Sequence, residues 1–374
     1  MNRAAMAPND SVTADVYADL GLERVVNARG NQTVLGGSRL SPRVLAAMES
    51  ANASFVDLDA LLTRVGELAA EILGCEAAYP TSGCAAAMAL GTAACMAGDD
   101  QELIAQLPDT TGMRNKVVIQ SPQRNEYDRM PSVAGAQLVV VEPRDFEASL
   151  TDDTAAAFFV ASYDGRGGSV LLSDAIPMAH ARGIPVIVDA AGSVSPPQMM
   201  NEVVSTGADL IGFGAKYFGA PNSTGLLCGR RDLVRAAALQ GFIGFELHGG
   251  NAFGRGFKLD RAEAVAVIEA LREWRSGGYE AVRDASTARA HALVGQLAGV
   301  AGMTARVDAD FGRAVVTFDP QSAHSAESVA TALSECHPPI WARVEGAELA
   351  FQTNTLSDDD LTIVAASLRE ILES

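Results

Sequence analysis

The sequence predicts an α/β protein: a large domain with a mainly parallel sheet covered by helices, followed by a small C-terminal α+β domain. Three observations predict it. Helical and strand patterns alternate along most of the chain, several strand patterns are unbroken apolar runs of the kind buried on both faces, and the texture changes after about Asp260. A chain of 374 residues with 48% hydrophobic content can bury a core of that size.

Residues 1 to about 20 carry little apolar periodicity and read as a loosely held arm. The expected organisation is an N-terminal segment over 1–55, a large domain over 56–260 and a small domain over 261–374. Within the large domain, Leu61 to Leu73 is an amphipathic helix, and Tyr79-Pro80-Thr81-Ser82-Gly83-Cys84 leads into a second, alanine-rich helix from Ala85 to Met96. Thr81 and Ser82 offer N-cap hydroxyls and Gly83 permits close backbone approach. A helix that opens this way turns unpaired amides and its positive dipole end toward an anion such as phosphate, although an ordinary capped core helix has the same pattern. Buried strands follow at Lys116 to Gln120, Gln137 to Val141, Ala155 to Ala161, Ile184 to Asp189 and Asp209 to Phe213, with a helix from Ser173 to Arg182 between two of them. The small domain reads as helices from Arg261 to Arg275 and on to about Leu297, strands near Ala314 to Phe318 and Leu349 to Gln352, and a closing helix from Asp358 to Leu372.

Two strand ends carry the chemistry. Gly183-Ile184-Pro185-Val186-Ile187-Val188-Asp189 holds one charge, the carboxylate at its carboxyl end. Ala208-Asp209-Leu210-Ile211-Gly212-Phe213-Gly214-Ala215-Lys216 ends in small residues and one amine, then turns through Gly219-Ala220-Pro221. An amine with so little bulk around it suits a lysine that must join and release a carbonyl partner. Taken singly, such a lysine is ordinarily a solvated group and such an aspartate a helix cap. Together on successive parallel strands they form the arrangement that pyridoxal phosphate needs, with Lys216 for the Schiff base and Asp189 to keep the ring nitrogen protonated. Ligands of such sheets bind beyond the carboxyl ends of the strands, where both residues fall.

Composition narrows the alternatives. A net charge of −18 opposes nucleic acid as a partner, because phosphate contacts need a basic surface. No run of eighteen apolar residues offers a membrane span, and Met1 to Asp10 lacks the apolar core of a signal peptide, so a soluble cytoplasmic protein is expected. The five cysteines lack metal-ligand spacing and read as buried thiols of a reduced compartment, with no metal site. Cys84 lies where a phosphate would dock, and packing is favoured over nucleophilic chemistry for it. A dinucleotide site is disfavoured, since no G-x-G-x-x-G opens a helix after a first strand.

Over about residues 25 to 370 the chain resembles pyridoxal-phosphate enzymes of the aspartate aminotransferase fold, fold type I, and within them the group of bacterial selenocysteine synthase and D-glucosaminate-6-phosphate ammonia-lyase. The likeness rests on Val26-Asn27-Ala28-Arg29-Gly30, Thr81-Ser82-Gly83-Cys84, Arg124-Asn125-Glu126-Tyr127-Asp128, Val188-Asp189-Ala190-Ala191, Gly214-Ala215-Lys216 and Gly254-Arg255-Gly256-Phe257-Lys258. The resemblance implies Lys216 as the cofactor lysine and general base, Asp189 as the ring-nitrogen partner, and Ser82, Gly83 and Cys84 as the phosphate cradle. It implies a homodimer or higher homo-oligomer with shared sites, Arg255 or Lys258 reaching a cofactor phosphate or an anionic substrate from the other subunit, and Asn27, Arg29 and Gln32 in a segment folded back over the site.

This chain departs from the group in three places. Gln123 stands where relatives carry a histidine that stacks on the ring, Gln352-Thr353-Asn354-Thr355-Leu356 lacks their arginine, and Phe213-Gly214 lacks a serine before the lysine. Selenocysteine synthase itself is not expected, because its RNA-binding portion has no room ahead of Asn27 and the charge is acidic. The expected activity is a pyridoxal-phosphate lyase acting on a small amino acid or amino sugar acid by α-proton abstraction and β-elimination. Transamination is the alternative, and a cofactor-binding interaction protein the second.

Overall fold

The computed structural model describes residues 16–373 and divides into two compact units, 36–279 and 16–35 with 280–373. Most of the arm expected over residues 1 to about 20 lies outside the described residues; Val16–Asp19 is a single helical turn with no buried side chain.

The larger unit is built on β1 (Ala77–Thr81), β2 (Lys116–Gln120), β3 (Gln137–Val141), β4 (Thr154–Val160), β5 (Val186–Asp189), β6 (Leu210–Gly214) and β7 (Gly225–Gly229), ordered β1-β7-β6-β5-β4-β2-β3. Six strands run in one direction, and β7 opposes them, antiparallel to both β1 and β6. Side chains alternate across the sheet. Ala157, Phe159, Val188 and Phe213 pack into one apolar cluster, while Ala156, Phe158, Ile187 and Leu210 pack into another. Each face is covered, which is why these strands read as continuous apolar runs.

The covering helices are α1 (Pro42–Asn52), α2 (Leu58–Leu73), α3 (Gly83–Ala97), α4 (Arg231–Gln240) and α5 (Arg261–Glu273). Val65, Ala69 and Leu73 of α2 join Val267 and Leu271 of α5 over the first face; Met88 and Leu90 of α3 join Leu233 and Ala237 of α4 over the second. Eleven of the fifteen residues of α3 are buried, and its run of alanines lets the helix lie close to the sheet.

The boundaries expected at 55 and 260 are corrected to 35 and 279. Helix α5 belongs with the larger unit because its apolar face is part of that core, and because Arg261 donates to the carbonyls of Ala51, Asn52 and Ser54, with Arg43 of α1 paired to Glu269 at 2.8 Å. Between α5 and the helix that follows it, Ser276 and Gly277 depart from helical geometry, the latter at φ 101°.

The smaller unit carries α6 (Tyr279–Gln296), α7 (Ala326–Ser334) and α8 (Asp358–Glu373), and an antiparallel sheet of β8 (Met303–Asp308), β9 (Arg313–Phe318), β10 (Arg343–Glu345) and β11 (Glu348–Gln352) in the order β10-β11-β9-β8. Val26–Asn27 pairs in parallel with Ile340–Trp341, and Ala28 extends that tie, donating to Trp341 O at 2.9 Å and accepting from Gln352 N at 2.8 Å. The unit has its own core, including Leu293, Val316, Val329, Phe351 and Leu368.

Candidate active site

Asp189 ends β5 and pairs in register with Gly212 of β6, four residues before Lys216. The two strand ends are laced together beyond the sheet: Ala190 N donates to Gly212 O at 2.9 Å and Gly214 N donates to Ala191 O at 3.0 Å. A short 3-10 turn over Ala215–Phe218 then lifts Lys216 off the strand into a half-buried position, its ammonium 5.1 Å from the centre of the Tyr217 ring. Desolvation lowers the lysine's pKa from its usual range, which favours the neutral amine.

The Asp189 carboxylate is held from one side. Its Oδ1 accepts from Ala191 N at 3.0 Å and from the Cys84 thiol at 3.5 Å. Burial pushes its pKa up, while those two donors oppose the shift. A cavity of 180 Å³ opens beside it, bounded by Asn125, Tyr127, Val160, Ser162, Tyr163 and Ser193 among others. Ser162 and Tyr163 follow directly on β4. Sequence reasoning missed them and Ser193, although their place just past the carboxyl ends of parallel strands was a signal available for the asking.

The opening of α3 completes the arrangement. Ser82 is the N-cap but its hydroxyl makes no capping bond, and Thr81 donates instead to Gly83 O at 3.0 Å. Gly83 sits at φ 86°, and a Cβ placed on Gly225 would lie 2.4 Å from Gly83 C and 2.7 Å from Cys84 N. Backbone therefore meets backbone here, and no side chain of Ser82 closes the first turn. The Cys84 side chain does not face that turn, as a cradle residue would. It runs under the helix toward Asp189, which leaves only its backbone amide for a phosphate.

Gln123 is fully buried beyond β2; its Oε1 accepts from Val160 N at 3.2 Å and its Nε2 has no partner among the described residues. The block that follows is a self-closed turn in which the buried Asp128 takes the Arg124 guanidinium and, at 3.1 Å, the Asn125 amide. Arg255 pairs with Glu246 at 2.7 Å and lies over Phe245, while Lys258 is exposed.

Asn27, Arg29 and Gln32 belong to the smaller unit. Asn27 spends its amide on its own turn, accepting from Arg29 N at 2.9 Å and donating to Gly30 O at 3.0 Å. Arg29 lies over the Trp341 ring, with a buried Nε that has no partner among the described residues. Gln32 takes part through its backbone, donating to Gly30 O at 2.7 Å. Asn354, where the group has arginine, is exposed on a turn fixed by Thr353, which donates to Ser286 O and Gly312 O, each at 2.7 Å.

These residues fit the expected cofactor. An uncapped helix opening in close backbone contact with Gly225 suits a phosphate; a carboxylate with Oδ1 engaged suits a ring N–H; a desolvated amine suits the carbonyl; and the orphaned Gln123 amide is a spare donor. Among the described residues no cluster of His, Cys, Asp or Glu could hold a metal ion, and no helix is long and apolar enough to cross a membrane.

Residues 134–348 match the model of the family described as Aminotransferase class-V. The chain is 33% identical to a 5'-C-glycyluridine monooxygenase-decarboxylase from a Streptomyces species, over 95% of this chain and 92% of that one. It is 29% identical to the D-glucosaminate-6-phosphate ammonia lyase of Salmonella typhimurium strain 14028s, over 97% and 99%. A solved D-glucosaminate-6-phosphate ammonia-lyase superposes with a TM-score of 0.84 at 26% identity, over 97% of this chain and 99% of that one.

Proposed function

Because the chain belongs to the aminotransferase class-V family of fold-type I pyridoxal-phosphate enzymes, we propose that it is a lyase that eliminates across the α- and β-carbons of an amino sugar acid or a related small amino acid. The observation that carries the reading is the placing of Asp189 and Lys216 at adjoining ends of β5 and β6, with Asp189 opening on a cavity. Both relatives have names that join an amino acid to a sugar, which supports a polyhydroxylated amino acid as the substrate class.

When bound, pyridoxal phosphate acidifies the α-hydrogen of an amino compound by drawing electron density toward its ring. Lys216 takes that hydrogen at Nζ, and desolvation, which lowers its pKa, favours the neutral amine that a base needs. Asp189, whose Oδ1 is taken by Ala191 N and the Cys84 thiol, would stabilise positive charge at the ring nitrogen. The amides at the start of α3, with the Ser82 hydroxyl, would hold the phosphate. Gln123 would offer its amide donor to the cofactor. Arg29 keeps a buried Nε with no partner among the described residues, and Asn27 serves its own turn. The enzyme acts in the cytoplasm as a homodimer, with Arg255 serving the partner's site; the five free thiols suit that compartment.

The test separates elimination from transamination. Candidate amino sugar acids and β-substituted amino acids are added to the holoenzyme while ammonia, 2-oxo product and cofactor absorbance are followed. A lyase releases ammonia and a 2-oxo product turn after turn with the cofactor spectrum restored. Stoichiometric bleaching that only an added 2-oxo acid reverses would establish an aminotransferase instead.

A further inference from the structure

We propose that Cys84 is a positioning residue: its thiol donates to Asp189 Oδ1, so that this oxygen is committed and Oδ2 is turned to the cofactor's ring nitrogen. The inference rests on the role given to Asp189 above and adds the device that aims it.

Three elements converge to make the contact. Cys84 comes from the first turn of α3, Asp189 from the end of β5, and Gly212 from the strand between β5 and β7. The sulfur lies 3.5 Å from Oδ1, and Ala191 N donates to the same oxygen at 3.0 Å. Among the described residues no hydrogen bond is made to Oδ2, and Asp189 borders the 180 Å³ cavity. Two donors on one oxygen fix the rotation of a carboxylate that a single donor would leave free to turn.

The neighbours reserve the place for sulfur. A Cβ on Gly212 would come within 3.1 Å of Cys84 Sγ and 2.3 Å of Met88 Cε, so glycine opposite Asp189 is what leaves room for the thiol. Burial and the adjacent carboxylate both push the thiol's pKa well above its usual value. Cys84 therefore stays a protonated donor and is no nucleophile at physiological pH. A donor aimed at the ionised carboxylate also offsets part of what burial costs that charge.

The test uses the holoenzyme and reads the cofactor, not turnover. Cys84→Ala, Cys84→Ser and Asp189→Asn are compared with the parent for cofactor affinity by titration and for the pH midpoint of the bound cofactor's absorption change, with circular dichroism as a check on folding. Cys84→Ala is expected to weaken affinity about three- to tenfold and to move the midpoint, the effect of one lost hydrogen bond. Cys84→Ser, which keeps a donor, recovers most of both. A serine variant that behaves like the alanine variant reduces Cys84 to packing and overturns the proposal, as does an alanine variant that matches the parent. The underlying assignment fails separately: if Asp189→Asn leaves the midpoint where it was, Asp189 is not the ring-nitrogen partner, whatever Cys84 does.

Discussion

Asp189 keeps a carboxylate where burial works against its charge, and the cost is readable in the apoprotein. Its folded pKa is raised above the unfolded value, so its contribution to stability is fully present below the unfolded pKa and is lost as pH rises through the folded one. Asp189→Asn keeps the shape and an oxygen for Ala191 N. It should therefore raise the apoprotein's melting temperature at pH 7.5 by about 2–4 °C, with the gain shrinking as pH falls through the folded pKa toward the usual carboxylate range. An unchanged or lower melting temperature at pH 7.5 contradicts the burial argument. In the holoenzyme the same change should slow exchange of a substrate's α-deuterium about a thousandfold, since charge at the ring nitrogen is gone. Lys216 carries the opposite shift. Reductive alkylation of the apoprotein, followed residue by residue with mass spectrometry, should label Lys216 at a lower pH than an ordinary lysine requires. Lys216→Ala should abolish borohydride trapping of the cofactor on the chain. Recovery of the label at Lys116 or Lys258 in the parent enzyme would move the site elsewhere.

Single elements depend on contacts that tolerate no added atom. Helix α2 crosses β1 at Gly66, where a Cβ would lie 2.1 Å from Ala78 O. The neighbour is backbone and cannot swing aside, so Gly66→Ala should destabilise the larger unit by about 1–3 kcal/mol in urea unfolding without altering residues of the site. Gly225 makes the matching contact at the site itself, against Gly83 and Cys84 of α3. Gly225→Ala should push the opening of α3 away from β7 and weaken cofactor affinity by at least tenfold, a larger effect on binding than on unfolding. Equal affinity in the variant and the parent would remove the α3 opening from the phosphate site.

At the scale of the molecule, the larger unit presents Phe55, 94% exposed, beside Val56, and Leu247 is likewise exposed. Apolar groups of this size in the open suit burial by a second copy of the chain. Light scattering at micromolar concentration should return at least twice the 38.9 kDa chain mass, and Phe55→Asp should lower it. A parent protein that scatters as a monomer would leave each site without Arg255 of a partner and defeat the shared-site reading.

The sequence by itself determined the architecture and singled out the two residues proposed for the site, because both are written locally. Strands buried on two faces must be apolar throughout, so β2, β4, β5 and β6 announce themselves, whereas the edge strand β3 is half-exposed; the only charged groups closing β5 and the turn after β6 are Asp189 and Lys216. The cofactor followed from those two and the glycine before α3. Strands β1 and β7 were not recognised: Pro80 interrupts one, and the other, at Gly225–Gly229, begins and ends in glycine. What only the tertiary structure decided is direction. No pattern along the chain says that the Cys84 side chain leaves the phosphate turn for Asp189, that Asn27 closes on its own loop, or that α5 packs with the larger unit. Those outcomes depend on which atoms from distant segments reach the same few ångströms, and periodicity reports only which face is buried, not what waits there.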